Sequence, residues 1–153
     1  GLGDVYKRQV IMLVFNIRKA RYSKSLQASG VANRWNKNDE FVIYTGSSRA
    51  LSTLELVVHR SSISIDNSYK LLVIEIDCEE DEIYEIKKPK LPKNWQSVEA
   101  YPELQEIGSA WYQDFKYLVM KVPSSIIPKE YNYLINTKHP DFSSKVKIKE
   151  LED

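Results

Sequence analysis

Four polar residues beside apolar segments of this sequence have side chains suited to one kind of chemistry: Arg34, Tyr44, Glu55 and Ser124. An arginine binds phosphate oxygens through paired donors, and a tyrosine ring packs against a flat base. A carboxylate that is partly removed from water stabilises a developing positive charge. Together these side chains could bind a dinucleotide and help to break a bond to one of its sugars, although none is diagnostic alone.

Glu55 is placed by a helix that the pattern predicts over residues 49–59. The apolar positions that recur at helical spacing, and that are expected to face the core, are Leu51, Leu54 and Val58. Glu55 then lies at the edge of this apolar side, where its partly desolvated carboxylate can face a sugar cation or the sugar hydroxyls. The competing interpretation is a surface glutamate paired with Arg49 or Arg60.

Arg34 and Tyr44 are expected to share a crevice with Glu55. Arg34 lies in a polar stretch over residues 19–40, and a loop of this length usually has a function. From there, its guanidinium could make two parallel contacts to phosphate oxygens. Tyr44 ends the next strand, just before the turn that begins the Glu55 helix. The alternatives are a solvated loop arginine and a strand tyrosine that closes the core.

Ser124 follows a strand and Pro123, so its hydroxyl is expected to be exposed at a sheet edge. No motif places a histidine base beside it, which argues against an acyl-transfer nucleophile. The chain has two histidines, His59 and His139, and one cysteine, Cys78, with no cluster at metal-ligand spacing. No metal site is predicted.

The elements that would position these residues predict one α+β domain. Strands are predicted at Leu13 to Ile17, Phe41 to Tyr44, Tyr69 to Ile76, Ile83 to Ile86, Tyr117 to Val122, Tyr131 to Ile135 and Val146 to Ile148. Helices are predicted over residues 49–59 and 102–115. Because strands and helices do not alternate regularly, a doubly wound sheet is not expected. The expected architecture is a mixed, mostly antiparallel sheet arrangement with flanking helices.

Composition narrows the class of protein. The 153 residues carry a formal net charge of +1, which argues against a nucleic-acid partner. The single Cys78 fits a reducing cytoplasm, and the apolar run Val10 to Phe15 is too short to span a membrane. Residues 1–11 do not match the pattern that Met12 opens. We interpret them as an addition from expression or sequence assembly, followed by the domain at residues 12–153.

The motifs around these residues resemble those of the RES-domain toxins, a family named for an Arg, a Glu and a Ser. The first half of the pattern is Arg34-Trp35-Asn36, then Val42-Ile43-Tyr44-Thr45, then Leu54-Glu55-Leu56-Val57-Val58-His59. The second half is Val122-Pro123-Ser124, then Asn132-Tyr133-Leu134-Ile135-Asn136, then His139-Pro140-Asp141-Phe142. The resemblance runs from about Met12 to Ile148, with both halves present and in order.

The resemblance implies an active site. The residues that correspond to the family's active-site residues are Arg34, Tyr44, Glu55 and Ser124. The family acts on NAD, and the residues that the resemblance implies contact NAD are Arg34, Tyr44, Ser124 and Asn136. The family commonly has a glycine where this chain has Asn33. It also often has a Tyr-Arg pair in the first strand, where this chain has Phe15-Asn16, so Arg18 or Arg21 is the candidate replacement for that arginine.

The resemblance also implies a fold and an activity. The fold is expected to be similar to that of ADP-ribosyltransferases of the diphtheria-toxin type. The expected activity is cleavage of the nicotinamide-ribose bond of NAD by hydrolysis or phosphorolysis, with NAD as the substrate and no cofactor. The alternatives are transfer of ADP-ribose to a protein target and a non-catalytic module that only binds an antitoxin.

A partner is implied in the same way. RES-domain toxins are encoded with a helix-turn-helix antitoxin, which binds the toxin and blocks its site. The expected partners of this chain are therefore NAD and such an antitoxin, with no membrane and no direct contact to nucleic acid. The residues define neither the acceptor nor an oligomeric state, and an oligomer with the antitoxin stays open.

Overall fold

The computed structural model describes residues 8–59 and 68–153, which form one α+β domain. Its strands are β1 (Gln9–Lys19), β2 (Val42–Gly46), β3 (Tyr69–Glu79), β4 (Ile83–Glu85), β5 (Val119–Pro123), β6 (Tyr131–Asn136) and β7 (Val146–Glu152). Its helices are α1 (Arg49–His59), α2 (Tyr101–Asp114) and α3 (Phe142–Lys145). The predicted fold class is confirmed, and no helix of the described residues is long and apolar enough to cross a membrane.

The strands form one seven-stranded sheet in the order β4, β5, β6, β2, β1, β3, β7. Its strand pairs are antiparallel, except that β4 and β5 run parallel. Such a sheet is built mainly from hairpins and direct returns of the chain, rather than from helical crossovers. This explains why the helices lie between groups of strands and not after every strand.

β1 begins earlier than the sequence predicts. It pairs with β3 without interruption, from Gln9 opposite Glu79 to Lys19 opposite Tyr69. Residues 9–11 therefore belong to the sheet, in contrast to the prediction that the first strand begins after the added segment. Residues 1–7 of that segment lie outside the described residues, and its origin stays a prediction.

The sheet is almost divided between β1 and β2. These two strands pair at one position, Phe15 opposite Gly46, whereas β1 and β3 pair along their whole length. Just beyond that pair, the Asn16 side chain donates a hydrogen bond of 2.7 Å to the Tyr44 carbonyl. The two halves of the sheet are thus joined at a narrow point, and a cleft lies beside it.

Two apolar cores hold the halves in place. One lies beneath α2, where Trp35, Leu104 and Trp111 pack against residues of β5 and β6. The other joins the two halves of the sheet through buried residues of β1, β3, β5 and β6, such as Val14, Ile74 and Ile135. Burial of large apolar side chains is the main stabilising contribution to such a fold. The loop that carries Arg34 is anchored in the first core through Trp35, and β5, which Ser124 follows, contributes buried residues to both cores.

Helix α1 has the predicted ends, but it is rotated relative to the prediction. Leu51 is buried as expected, whereas Leu54 and Val58 are 38% and 49% exposed. The side facing the protein instead contains Ser52, whose hydroxyl donates a 2.8 Å hydrogen bond to the Phe15 carbonyl. Since Phe15 pairs with β2 at one position only, a hydroxyl near the end of the ladder satisfies a strand carbonyl. The rotation turns Glu55 into the cleft.

Candidate active site

A cleft of about 510 Å³ opens where β1 and β2 separate. Its walls come from β1, the loop before β2, β2 itself, α1, the start of α2 and the segments after β5 and in β6. The residues that line it are Phe15, Asn16, Ile17, Asn33, Arg34, Trp35, Tyr44, Thr45, Gly46, Ser52, Glu55, Leu56, Tyr101, Ser125 and Asn132. Three of the four predicted catalytic residues, Arg34, Tyr44 and Glu55, thus share one cavity.

Glu55 is held by two neutral donors. The Ser124 hydroxyl donates to one carboxylate oxygen at 2.9 Å, and the Asn132 amide donates to the other at 2.8 Å. The same Asn132 nitrogen also donates to the Thr45 carbonyl of β2 at 3.1 Å. Because each carboxylate oxygen has two acceptor positions, these bonds fix the carboxylate without exhausting its capacity to accept. The surface pairing with Arg49 does not form, since Arg49 pairs with Glu152, and Arg60 lies outside the described residues.

Ser124 differs from the prediction. Its side chain was expected to be exposed at a sheet edge, but the residue is fully buried and does not line the cleft. The hydroxyl oxygen accepts hydrogen bonds from the backbone N–H groups of Ile126 and Ile127, at 3.1 and 3.2 Å. These two bonds orient the hydroxyl hydrogen towards Glu55. Ser124 is therefore a positioning residue for the carboxylate.

The surroundings of Glu55 have opposite effects on the pKa of its carboxyl. Burial raises the pKa of the Glu55 carboxyl, and this is the larger effect. The hydrogen bonds from Asn132 and Ser124 and the positive charge of Arg34 act to lower that pKa, because each favours the ionised form. A desolvated carboxylate with fixed donors and a nearby guanidinium is suited to stabilising positive charge in a bound molecule.

Arg34 lies across the cleft from the helix that carries Glu55. Its guanidinium donates a 2.9 Å hydrogen bond to the Trp95 carbonyl, and it stacks on the Tyr101 ring at 4.8 Å. A guanidinium has five N–H donors, so this arrangement orients the group while leaving further donors for an anion. The arginine is therefore fixed at the cleft wall and is not a freely solvated loop side chain.

Tyr44 contributes its ring to the cleft, but its hydroxyl faces away into the protein. The hydroxyl accepts a hydrogen bond from the Trp35 backbone N–H at 2.9 Å and donates one to the Asn36 side-chain oxygen at 2.6 Å. Burial raises the pKa of this phenol well above its ordinary value, so the proton that bonds Asn36 is retained. The predicted stacking role therefore concerns the ring alone.

The structure does not bring Asn136 to the cleft. Asn136 is fully buried, donates to the Tyr112 carbonyl at 3.0 Å and accepts from the Lys138 N–H at 2.9 Å. It lies opposite Val42 in β2, whereas Asn132 lies opposite Gly46 at the cleft end of the same strand pair. The two asparagines are four positions apart in the strand, a distance of roughly 13 Å. Asn132 is thus the amide that serves the site, and it was not among the predicted residues.

The candidate replacements for the family's first-strand arginine lie elsewhere. Arg18 donates to the Asn16 side chain and to the carbonyls of Tyr22, Ser25 and Gln27. Arg21 stacks on the ring of Tyr22, and neither arginine lines the cleft. The polar residue of the first strand that does line it is Asn16, between Phe15 and Ile17. Burial lowers the pKa of Arg18, whose guanidinium holds the loop after β1.

The features that define the class of this protein are an α+β fold whose sheet is nearly divided and one cleft that contains a clamped carboxylate and a stacked guanidinium. A family model described as RES domain matches residues 14–153. Toxin Res of Yersinia enterocolitica is 32% identical over 137 residues, which cover 87% of this chain and 89% of that protein. The chain therefore belongs to the RES-domain toxin family, as the sequence resemblance predicts.

Two further similarities extend the comparison. The Prs ADP-ribosylating toxin of Sphingobium sp. is 38% identical over 109 residues, which cover 71% of this chain and 68% of that protein. The crystal structure of the M. tuberculosis MbcT–MbcA toxin–antitoxin complex contains a chain that matches with a TM-score of 0.71 and 14% identity. That match covers 96% of this chain and 86% of the other. At this identity, the structural match shows a shared fold.

Proposed function

We propose that this protein is the toxin of a toxin–antitoxin system and that it cleaves the nicotinamide-ribose bond of NAD. The observation that carries the proposal is the shared cleft of Glu55 and Arg34, in which the carboxylate is clamped by Ser124 and Asn132. The site offers one anionic group for a sugar cation and one cationic group for a pyrophosphate. A nicotinamide dinucleotide presents both partners in one molecule.

The chemistry makes modest demands on the protein. When the bond breaks, its electron pair goes to the nicotinamide nitrogen, so neutral nicotinamide leaves and positive charge develops on the ribose. In our proposal Glu55 faces this charge, Arg34 holds the pyrophosphate, and the Tyr44 ring packs on nicotinamide. Ser124 acts through Glu55 and does not contact the substrate. Preorganised groups of this kind act strongly because they need no reorientation during the reaction.

Transfer of ADP-ribose to a protein is the second candidate function. One relative is named an ADP-ribosylating toxin and is 38% identical to this chain. The proposed site would generate the same ribosyl cation in either case, and only the acceptor would differ. The third reading, a non-catalytic module, is disfavoured because an inactive site would have no need of two donors fixed on the two oxygens of Glu55.

An antitoxin partner belongs to the same proposal. It is supported by the fold match to a chain of the MbcT–MbcA toxin–antitoxin complex. The family resemblance adds a helix-turn-helix antitoxin that covers the site. We also propose that the protein acts in the cytoplasm, where NAD is available and where the buried free thiol of Cys78 stays reduced.

Product analysis of NAD incubated with the antitoxin-free protein tests the proposal. We expect nicotinamide release, with ADP-ribose as the second product in buffer alone and its phosphorylated form if phosphate is the acceptor. A parallel incubation with lysate and NAD labelled on the adenylate side separates transfer, since only transfer leaves label on protein. If the folded protein releases no nicotinamide, either in buffer alone or with phosphate, the proposal of NAD cleavage is wrong. The alternative of a non-catalytic module is then favoured.

The pH dependence of cleavage tests the role of the Glu55 clamp. Because burial raises the pKa of Glu55, kcat/KM should fall on acidification with an apparent pKa above the ordinary value of 4.5. Ser124→Ala removes a donor that favours the ionised form, so the acidic limb should move to higher pH. Ser144→Ala, on the exposed side of α3, should leave the limb in place. An unchanged limb in Ser124→Ala would show that this hydroxyl does not tune the carboxylate.

A further inference from the structure

The hydroxyl of Tyr44 connects the sheet to the loop that carries Arg34. It receives the Trp35 backbone N–H and donates to the Asn36 side-chain oxygen, at 2.9 and 2.6 Å. Both partners follow Arg34 directly in the chain. Tyr44 therefore lines the cleft, while its hydroxyl holds the residues next to the guanidinium.

Asn36 closes the loop around itself. It is 2% exposed, and its amide nitrogen donates to the carbonyls of Val31, Lys37 and Glu40 at 3.0 to 3.1 Å. The backbones of Asn33 and Asn36 also bond to each other in both directions. Arg34 and Trp35 are thus the two central residues of a tight turn, and the side chain of Asn36 fixes one end of that turn.

Helix α2 supports the same turn from the other side. Gln105 donates to the Asn33 carbonyl at 2.8 Å. The Cβ of any residue larger than glycine at position 108 would lie 1.6 Å from the Trp35 carbonyl oxygen, so the helix backbone is pressed against the turn. Glu40 completes the support, since it accepts hydrogen bonds from Ser109 at 2.6 Å and from the Lys37 N–H at 2.8 Å. A turn held on both sides offers Arg34 one defined position.

We propose that Asn36, acting through the hydroxyl of Tyr44, is a positioning residue that fixes the Arg34 guanidinium at the cleft wall. This proposal rests on the proposed function, in which Arg34 holds the pyrophosphate of NAD. It assigns Tyr44 two separable contributions, one from its ring at the cleft and one from its hydroxyl at the loop. It also explains why the Arg34 loop needs a buried asparagine at this point: three carbonyls and one phenol must be satisfied together.

Steady-state kinetics distinguish this role from a general structural one. Asn36→Ala and Tyr44→Phe should each raise the KM for NAD by about tenfold, with kcat changed by no more than about twofold, because binding to a misplaced arginine is weakened before and during the reaction alike. Thr137→Val is the matched control. It removes a 2.6 Å hydrogen bond to the Phe41 carbonyl near the start of the same strand, away from the cleft. Its KM should equal that of the parent.

A double variant tests whether Asn36 acts through Arg34. If it does, Asn36→Ala should raise KM no further in an Arg34→Ala background. A full tenfold increase in that background, or a parent-like KM in both single variants, would overturn the proposal. A parent protein that does not cleave NAD would instead contradict the proposed function.

Hydrogen exchange gives a readout that does not depend on activity. The Trp35 amide is bonded to the Tyr44 hydroxyl, so its exchange should accelerate at least tenfold in Tyr44→Phe and in Asn36→Ala. Amides of α1 should keep the parent rate in both variants. If Asn36→Ala does not fold, Tyr44→Phe, which removes one oxygen atom, carries the test. Unchanged exchange at the Trp35 amide in the folded Tyr44→Phe protein would contradict the proposal that the Tyr44 hydroxyl holds the Arg34 loop.

Discussion

Glu55→Gln is expected to reduce kcat for NAD cleavage by roughly a hundredfold to a thousandfold, the loss typical of one well-placed electrostatic contact to a transition state. Glutamine is nearly isosteric, so it keeps the shape of the cleft and one hydrogen-bond acceptor near Asn132. It carries no negative charge to face the ribosyl cation. KM should change little, since the charge is needed only as the bond breaks. Steady-state rates of nicotinamide release measure both quantities.

The variant is also expected to stay folded. Burial raises the pKa of Glu55, so the ionised form costs stability above that pKa, and the cost disappears as the pH falls through it. An uncharged side chain avoids this cost at neutral pH. Circular dichroism and thermal unfolding check the fold, and Glu103→Gln, exposed on α2, is the charge-matched control. A folded Glu55→Gln protein with the kcat of the parent would remove Glu55 from the mechanism.

Arg34→Ala is expected to lower kcat/KM for NAD by about a hundredfold, mainly through KM. The guanidinium is oriented by the Trp95 carbonyl and the Tyr101 ring. Two charge-assisted hydrogen bonds to a pyrophosphate contribute roughly 1.5 to 3 kcal/mol each, which is enough for that loss even if water replaces part of the contact. Titration calorimetry with ADP-ribose measures the binding part separately from the chemistry.

Arg34→Lys refines this test, because lysine keeps the charge without the planar pair of donors. It should restore only part of the affinity lost in Arg34→Ala. Lys149→Ala, on the exposed side of β7, removes one positive charge far from the cleft and should bind ADP-ribose like the parent. If Arg34→Ala binds ADP-ribose with unchanged affinity, the pyrophosphate is held by another group.

The local elements could be predicted where the sequence carries a strong local signal. The helix over Arg49–His59 has the predicted ends, because hydroxyl residues precede a run with helical spacing. The rotation of that helix could not be predicted from spacing alone. It depends on Ser52 reaching the Phe15 carbonyl, a contact across 37 positions that periodicity does not contain.

The site, like the fold, could be predicted from the sequence only in part. Sequence resemblance gathered Arg34, Tyr44, Glu55 and Ser124, and the structure brings three of them into one cleft, with the fourth bonded behind it. The sequence resemblance could not distinguish Asn132 from Asn136, since both residues lie on the same face of β6. The register of β6 against β2 decides which amide meets the cleft, and register is a property of the assembled sheet. The prediction that Ser124 is exposed is wrong because the turn after β5 directs its hydroxyl inward to Glu55.

The clamp on Glu55 joins residues that are 69 and 77 positions apart in the chain. While the ribosome is still making the protein, a nascent chain that extends past Glu55 but ends before Asn132 contains the carboxylate and at most one of the two donors that fix it. Such a chain also lacks β6, against which β2 pairs. The site is therefore completed only after β6 has been synthesised and has paired with β2.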